Sequence, residues 1–134
     1  MYTMKEACEK TGLNYETLKF YCNQGLVPYV SRDERNRRVF DDHDIAWIKS
    51  LSCLKNCNMG IAEMKEYLRL CLLGPDSIPE RKEILARKRR ELEEERERIQ
   101  KSIDYIDWKQ EFYDGVTAGE IPYRSNLIPK EEKK

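Results

Sequence analysis

The sequence of 134 residues has no excess of charge of either sign, because 25 lysine and arginine side chains balance 25 aspartate and glutamate side chains. Domains that bind nucleic acid without sequence preference are usually strongly basic, so this balance argues against indiscriminate electrostatic binding. No apolar run approaches the ~20 residues that a membrane-spanning helix needs, and residues 1–10 lack the pattern of a signal peptide. The sequence therefore predicts a soluble, cytoplasmic protein that does not enter a membrane.

The sequence also has little of the chemistry that enzymes use. It contains one histidine, His43, and no general base or oxyanion pattern accompanies any cysteine. Five cysteines, an odd number without the spacing of a disulfide framework, are typical of reduced thiols in a cytosol. We therefore predict no catalytic residue, no cofactor and no metal site.

The first part of the sequence predicts two short helices joined by a turn. Thr3 and Glu6 form the capping-box pattern that starts a helix, and Gly12 can take the left-handed conformation that ends one. Asn14 then caps a second helix that runs to about Gln24. Two short helices around a glycine-containing turn are the helix-turn-helix pattern, although many helical hairpins share it.

A hairpin is predicted directly after these helices. Two short β-capable runs, at 29–31 and 39–40, flank a polar tip at 32–38 with four arginines and two acids. Four arginines on a loop are more often simply solvated. Because a hairpin that follows a helix-turn-helix is a wing, we favour contact with DNA here.

Two more helices are predicted before a break in the pattern at 72–76. Acids at 41–44 favour a helix start, since they offset the helix dipole, and Asn58 is a plausible left-handed end. Gly60 then begins the next helix. Four residues spaced for one helical face, which we predict to be buried in the first of these helices, are Ile45, Ile48, Leu51 and Leu54.

A long, highly charged helix is predicted over 77–114, with Ser77 as its cap. Apolar positions recur at seven-residue intervals, as in a coiled coil. Such a helix cannot bury its stripe within so small a chain, so it should pair with a second copy; the unequal halves of the seam favour an antiparallel pair. The positions that repeat are Leu85, Leu92, Ile99, Ile106 and Tyr113.

The predicted fold class is therefore all-α with a small β wing. We predict a winged helix-turn-helix domain over 1–73, a dimerisation helix over 77–114 and a C-terminal tail over 115–134. The tail either packs back on the dimer or is disordered. The apolar tail residues on which this choice depends are Ile121, Tyr123, Leu127 and Ile128.

In order and spacing, the chain resembles the MerR family of transcription regulators over roughly residues 1–113. The resemblance implies a winged helix-turn-helix, an antiparallel coiled-coil homodimer, and double-stranded promoter DNA whose −35 and −10 elements are too far apart. Family activators untwist and bend such DNA, so that RNA polymerase, which they affect indirectly, engages both elements. The segments that carry the resemblance are YTMKEA (2–7), TGL (11–13), TLKFY (17–21), GLVP (25–28), RVFDDHDI (38–45) and MGIAEMKEY (59–67).

The resemblance also implies which residues contact DNA. The Arg-Tyr-Tyr that is usual in the family's recognition helix is Lys-Phe-Tyr here, and Lys19 keeps the charge without bidentate geometry. We expect Tyr15, Thr17 and Lys19 in the groove and Tyr21, Arg37 and Arg38 on the DNA backbone. Phe20 is expected in the core.

The resemblance narrows the effector as well. Drug-sensing members carry a large domain after the coil, for which too little chain remains, and metal-sensing members need a cysteine beyond Cys71. The segment WIKSLSCLKN at 47–56 resembles the branch that responds to aldehyde and nitrosative stress. It implies that Cys53 reacts with an electrophile such as formaldehyde, methylglyoxal or a nitrosating agent, with Cys57 as a second candidate. The thiolate is the reactive form and a nearby cation favours it, whereas most free cysteines are small buried apolar residues.

Two other functions remain open from the sequence. The same fold could respond to a non-covalent small molecule, or the chain could be a coiled-coil interaction protein with a vestigial DNA module. Aromatic residues that are candidates to line a small-molecule pocket, but more often form a dimer core, are Trp108, Phe112, Tyr113 and Tyr123.

Overall fold

The structure is a computed structural model that describes residues 1–127; residues 128–134, among them the predicted tail residue Ile128, lie outside the described residues. The chain divides into two compact units, Met1–Leu92 and Glu93–Lys134. The predicted fold class is confirmed, since a mostly helical chain carries a two-stranded wing and a long C-terminal helix. The elements are α1 (Met4–Thr11), α2 (Tyr15–Asn23), β1 (Ser31–Arg32), β2 (Arg38–Val39), α3 (Asp42–Asn56), α4 (Ile61–Leu72), a 3-10 turn (Pro75–Ser77) and α5 (Ile78–Thr117).

The first two helices begin and end at the predicted residues. The Thr3 hydroxyl accepts from the Glu6 backbone N–H at 3.1 Å, and the Glu6 carboxylate accepts from the Thr3 N–H at 3.0 Å. Gly12 takes the left-handed conformation with φ of 76°. The Asn14 side chain caps α2 by accepting from the Thr17 N–H at 2.8 Å. Local capping chemistry therefore fixes the length of both helices.

The strands of the wing are displaced from the predicted runs: β1 covers 31–32 where 29–31 was predicted, and β2 covers 38–39 where 39–40 was predicted. Ser31 lies opposite Val39 and Arg32 opposite Arg38 in an antiparallel register. Phe40, predicted in the second strand, pairs instead with Tyr2 near the N-terminus through two backbone hydrogen bonds of 2.7 and 2.8 Å. This pairing ties the exit of the wing to the start of α1.

One apolar core holds the first unit together, and α3 contributes its predicted face. Ile45, Ile48, Leu51 and Leu54 are all buried, as the spacing predicts. The start of α3 is a reciprocal capping box in which the Asp44 N–H donates to Asp41, and the Asp41 N–H donates to Asp44. The N–H of Asp44 lowers the pKa of the Asp41 carboxyl, whereas burial raises the pKa of Asp44. The other members of this core are Ala7, Leu18, Tyr21, Leu26, Val27, Phe40, Met59 and Met64.

The turn between α4 and α5 differs from the prediction. Ser77 is not the accepting cap of the long helix: its hydroxyl donates to the carbonyl oxygens of Leu70 and Gly74. The Arg81 guanidinium donates to the Ser77 hydroxyl at 3.0 Å and to the Gly74 carbonyl at 2.7 Å. Serine and arginine together add side-chain hydrogen bonds to two carbonyls, of Leu70 and Gly74, that also accept from the backbone N–H groups of Leu73 and Ser77.

An ion cluster around the buried side chain of Lys88 fixes the start of α5 against the turn from α3 to α4. The Lys88 ammonium lies 2.6 Å from the Glu63 carboxylate and 3.2 Å from that of Glu91, and donates to the Asn58 carbonyl at 3.2 Å. The Lys88 side chain is only 7% exposed. Its hydrogen bond is the main cause of the lowered pKa of Glu63.

The described part of the second unit is the remainder of α5 and the chain after it. The helix ends three residues later than predicted, at Thr117, where the Glu120 and Ile121 N–H groups both donate to the Gly115 carbonyl. The Ile121 side chain folds against Gly115, which is buried, whereas Tyr123 and Leu127 are exposed. The described tail thus packs at Ile121 only.

Three of the four aromatic residues proposed as a pocket lie on α5, and the fourth, Tyr123, lies after the end of this helix. Trp108 and Phe112 stack with ring centroids 6.1 Å apart, and the Lys109 ammonium lies 5.2 Å from the Trp108 centroid. Trp108 and Tyr113 are each about half exposed. Among residues 1–127, no helix is both long enough and apolar enough to cross a bilayer.

We predict that Glu63→Gln lowers the melting temperature at pH 7 and has little effect at pH 3. The folded-state pKa of Glu63 lies below its unfolded value, so the stabilisation is present above the unfolded pKa of about 4.3 and is lost as pH falls through the folded pKa. Thermal unfolding followed by circular dichroism across this range measures the difference.

Glu66→Gln is the matched control, since its partner Arg69 is 58% exposed and such surface pairs contribute little. A Glu63→Gln chain with the wild-type pH dependence of its melting temperature would contradict the assignment.

Candidate nucleic-acid interface

A cleft of about 450 Å³ lies between α1, the start of α2 and the wing. Four of its side chains are basic and one is acidic, so it carries positive charge in a protein whose total charge is zero. We call it the basic cleft. Its charged and aromatic members are Lys5, Tyr15, Arg32, Asp33, Arg37 and Arg38.

Helix α2 presents an exposed cation beside this cleft. Lys19 lies one helical turn after Tyr15, and its ammonium is 5.8 Å from the centre of the Tyr15 ring. Tyr15 is 52% exposed. A cation over an aromatic face is favourable, and it orders the lysine stem without neutralising its charge. The pair therefore offers both a flat ring and a positive charge to a ligand.

The wing tip is held by its own hydrogen bonds. Asp33 accepts from the backbone N–H groups of Arg35 and Arg37 and from the Arg37 guanidinium, at 2.9, 2.9 and 3.1 Å. The Arg37 N–H is the main cause of the lowered pKa of Asp33. Asn36 takes φ of 62°, which asparagine tolerates better than most residues. Because the tip is ordered before it binds, less conformational entropy is lost on binding.

Arg38 joins the wing to the end of α2. Its guanidinium donates to the Asn23 side chain at 2.6 Å, and the residue is half-buried. Arg38 thus helps to set the distance between the two elements that border the basic cleft, while it also lines that cleft.

The structure brings four of the six predicted DNA contacts together and separates two. Tyr15, Arg37 and Arg38 line the basic cleft, with Lys19 beside Tyr15. Thr17 points to a different face of α2, since residues two apart on a helix lie about 200° apart. It lines a separate groove with Phe20.

The structure does not place Tyr21 on the surface, as the predicted contact with the DNA backbone would require. Tyr21 is 2% exposed and belongs to the core, and its hydroxyl is buried with no hydrogen-bond partner among residues 1–127. Phe20, which was predicted in the core, is instead 44% exposed. The two aromatic neighbours have exchanged the predicted positions, because the core lies on the Leu18 and Tyr21 side of the helix.

The sequence prediction did not identify Lys5 and gave Arg32 no individual role, although both line the basic cleft. Lys5 follows the capping residue of α1 and has no motif of its own. It reaches the cleft because the Tyr2–Phe40 pairing draws the wing toward α1. Arg32 is held by donating to the Asn36 carbonyl at 3.0 Å.

The five cysteines are free thiols, and Cys53 is the most accessible of them. Cys53 is exposed on α3, one turn after exposed Lys49, whereas the other four are half-buried. Cys57 is the residue that ends α3, and its N–H donates to the Cys53 carbonyl at 3.1 Å. Within the described chain no three His, Cys, Asp or Glu side chains are grouped as a metal site requires.

The fold and the basic cleft define a DNA-binding protein of the winged helix-turn-helix class. Residues 2–71 match the profile of the family described as MerR HTH family regulatory protein. An HTH-type transcriptional regulator of Haemophilus influenzae, itself uncharacterised, is 33% identical over 117 residues, or 87% of each chain. The chain belongs to the MerR family of transcriptional regulators; it is a DNA-binding regulator and not an enzyme.

Other relatives agree with this assignment. The transcriptional regulator AdhR of Bacillus subtilis is 36% identical over 87 residues, 65% of this chain and 62% of its own. The crystal structure of HiNmlR, a MerR family regulator lacking the sensor domain and bound to promoter DNA, matches with a TM-score of 0.73 at 33% identity, over 87% of this chain and 93% of that one. A putative MerR regulator from Listeria monocytogenes matches with a TM-score of 0.76 at 29% identity, over 99% and 93%.

We predict that Tyr21→Phe leaves the affinity for promoter DNA within about twofold of wild type, because the buried hydroxyl makes no contact that a phosphate could use. Removal of an unpartnered buried hydroxyl should leave the melting temperature unchanged or raise it. Fluorescence anisotropy with a labelled promoter duplex measures the affinity. Lys19→Ala, on the exposed face of the same helix, is the comparison and should bind more weakly. A tenfold loss for Tyr21→Phe would restore the tyrosine to the interface.

Proposed function

We propose that the chain acts in the cytoplasm as a homodimer that binds promoter DNA with an over-long spacer. By distorting that spacer it changes transcription, acting on RNA polymerase indirectly, and it senses an electrophile through Cys53. The basic cleft supports the DNA contact, and the exposed Cys53 thiol supports the effector.

The exposed apolar stripe of α5 supports the homodimer. Leu85, Ile99, Ile106 and Tyr113 are between 40% and 56% exposed in the single chain, as is Ile103 between them. Water-exposed leucine and isoleucine at seven-residue spacing are typical of a helix that pairs with another helix. A second copy of α5 offers the same spacing, and an antiparallel pair places the basic early half of one seam against the apolar late half of the other.

A dimer supports distortion of the promoter. A dimer that holds its two basic clefts at a fixed separation can bind two DNA half-sites only if the DNA between them has one particular length and twist. If the promoter presents those half-sites at another spacing, the DNA must bend or untwist to meet both, and the contacts at each cleft offset the deformation energy. HiNmlR, whose structure is similar, was solved bound to promoter DNA.

The chemistry at Cys53 needs no partner beyond the electrophile. The thiolate sulfur attacks the carbonyl carbon of an aldehyde, a C–S bond forms, the π electrons move to oxygen, and that oxygen takes a proton from water. The product is a hemithioacetal, and no oxidant is consumed. The exposure of Cys53 on α3 allows this attack.

We predict that Lys19→Gln reduces the salt dependence of promoter binding by about one unit of slope in a plot of log affinity against log salt. Each phosphate contact releases about 0.9 of a counterion from duplex DNA, so the loss of one contact lowers the slope by that amount. Anisotropy titrations at several salt concentrations give the slope. Lys82→Gln, an exposed lysine on α5, is the control and should keep the wild-type slope. Equal slopes for wild type and Lys19→Gln would remove Lys19 from the interface.

We predict that Cys53→Ser abolishes the response of transcription to formaldehyde while promoter affinity stays at the wild-type value. The serine hydroxyl is a far weaker nucleophile than a thiolate and should form no adduct. A reconstituted promoter-transcription assay with and without formaldehyde measures the response, and intact-mass spectrometry counts adducts. Cys57→Ser is the matched control in the same segment and should respond as wild type does.

The same assay on a template with a spacer of ordinary length tests the distortion. The regulator should lose its effect there, while its affinity for the DNA persists. Retention of the formaldehyde response by Cys53→Ser would assign the effector to another residue or to a non-covalent ligand.

A further inference from the structure

A second cavity, of about 410 Å³, lies between α2 and the turn from α3 to α4. This volume falls within the range of small-molecule pockets, roughly 300 to 1,000 Å³. We call it the apolar groove. Tyr21, Met59 and Met64 line it and are almost fully buried, whereas Phe20, which also lines it, is 44% exposed.

Three polar features of the apolar groove suit a negatively charged group. Helix α4 begins there at Gly60, whose own N–H donates to the Glu63 carboxylate at 3.2 Å and which has no side chain to accept from the N–H groups that follow. Lys55 lines the same groove. The third is the hydroxyl of Tyr21, which is buried and has no partner in the described chain. A helix start and a nearby ammonium both favour an anion.

The apolar and polar residues that line the groove together indicate the chemical class of its ligand. We propose that the apolar groove binds a small organic monocarboxylate, with its apolar body against Phe20 and Met64 and its carboxylate at the start of α4. Glu16 also lines the groove, and its charge opposes a doubly charged ligand more strongly than a singly charged one. A monocarboxylate therefore fits better than a dicarboxylate or a phosphate monoester.

The groove is coupled to DNA binding through α2. Thr17 and Phe20 line the groove on one side of this helix, while Tyr15 and Lys19 stand at the basic cleft on another. A carboxylate bound beside α2 places a negative charge near a helix that approaches phosphates, so it weakens the affinity for DNA. By linkage, DNA weakens the affinity for the carboxylate by the same factor. The proposal does not depend on Cys53.

Methionine NMR tests the site directly, because the chain has four methionines and two of them, Met59 and Met64, line the groove. The full chain, labelled with 13C at the methionine methyl groups, is titrated with hexanoate and with neutral hexan-1-ol. We expect hexanoate to shift the Met59 and Met64 resonances saturably and to leave Met1 and Met4 unmoved. Hexan-1-ol, which lacks the charge, should bind about tenfold or more weakly.

Gly60→Asp is the decisive variant. Gly60 has φ of −79° and ψ of 176°, which an aspartate cap adopts readily, and an added Cβ meets no atom within 4 Å. Its own carboxylate should take the free N–H groups of α4, so the fold is retained while hexanoate binding falls about tenfold. Lys49→Gln, on α3 outside the groove, and Cys53→Ser should bind hexanoate as wild type does.

The outcomes separate the alternatives. Equal shifts of all four methionines, hexan-1-ol binding as tightly as hexanoate, or unchanged hexanoate binding by Gly60→Asp would each overturn the proposal. If Gly60→Asp loses DNA affinity but keeps hexanoate binding, the start of α4 is a phosphate contact instead. Since Cys53→Ser enters both this experiment and the formaldehyde assay, failure of the thiol mechanism and failure of the carboxylate site remain distinguishable.

Discussion

The geometry of the basic cleft depends on one contact, the pairing of Phe40 with Tyr2. Phe40 is fully buried, and both of its backbone polar groups are hydrogen-bonded to Tyr2. The Tyr2 hydroxyl in turn donates to Asp42 at 2.7 Å, and this hydrogen bond raises the pKa of the tyrosine. The starts of α1 and α3 and the exit of the wing therefore meet at one point. This pairing brings Lys5 of α1 and Arg37 of the wing to the same cleft.

The zero net charge describes the whole chain and conceals how the charges are distributed. Around the basic cleft, four cations face one carboxylate, and Asp33 is occupied in holding the wing tip. Elsewhere, Lys88 pairs with Glu63 and Arg69 pairs with Glu66. A protein of this kind gains affinity only where its few unneutralised cations match the positions of phosphates. Neutrality thus limits non-specific binding and leaves specific binding to the geometry of a small patch.

Local chemistry made much of the fold predictable, and tertiary packing decided the rest. Capping residues such as Thr3 and Asn14, and left-handed positions such as Gly12 and Asn58, act over three or four residues and can be recognised without a structure. The exchange of Phe20 and Tyr21 could not be recognised from the sequence. Both residues are large aromatics, and the directions of adjacent side chains around a helix axis differ by only 100°. Lys5 was missed since its place in the cleft depends on the pairing of Tyr2 with Phe40, which is distant in the sequence. Ser77 was misassigned because serine both accepts and donates, and the carbonyls it meets come from α4.

The nine residues of α2 contribute side chains to three different parts of the molecule. Leu18 and Tyr21 anchor the helix in the core, Tyr15 and Lys19 stand at the basic cleft, and Thr17 and Phe20 border the apolar groove. A helix so short, packed on one side, can shift as a rigid body only if its core contacts shift with it, since interiors are close-packed. An effector that acts on DNA binding must therefore either add charge beside α2 or move the core behind it. A carboxylate bound in the apolar groove would add charge beside α2. The proposed adduct at Cys53, which is exposed on α3, would act in the second way, since Leu51 and Leu54 of the same helix belong to that core.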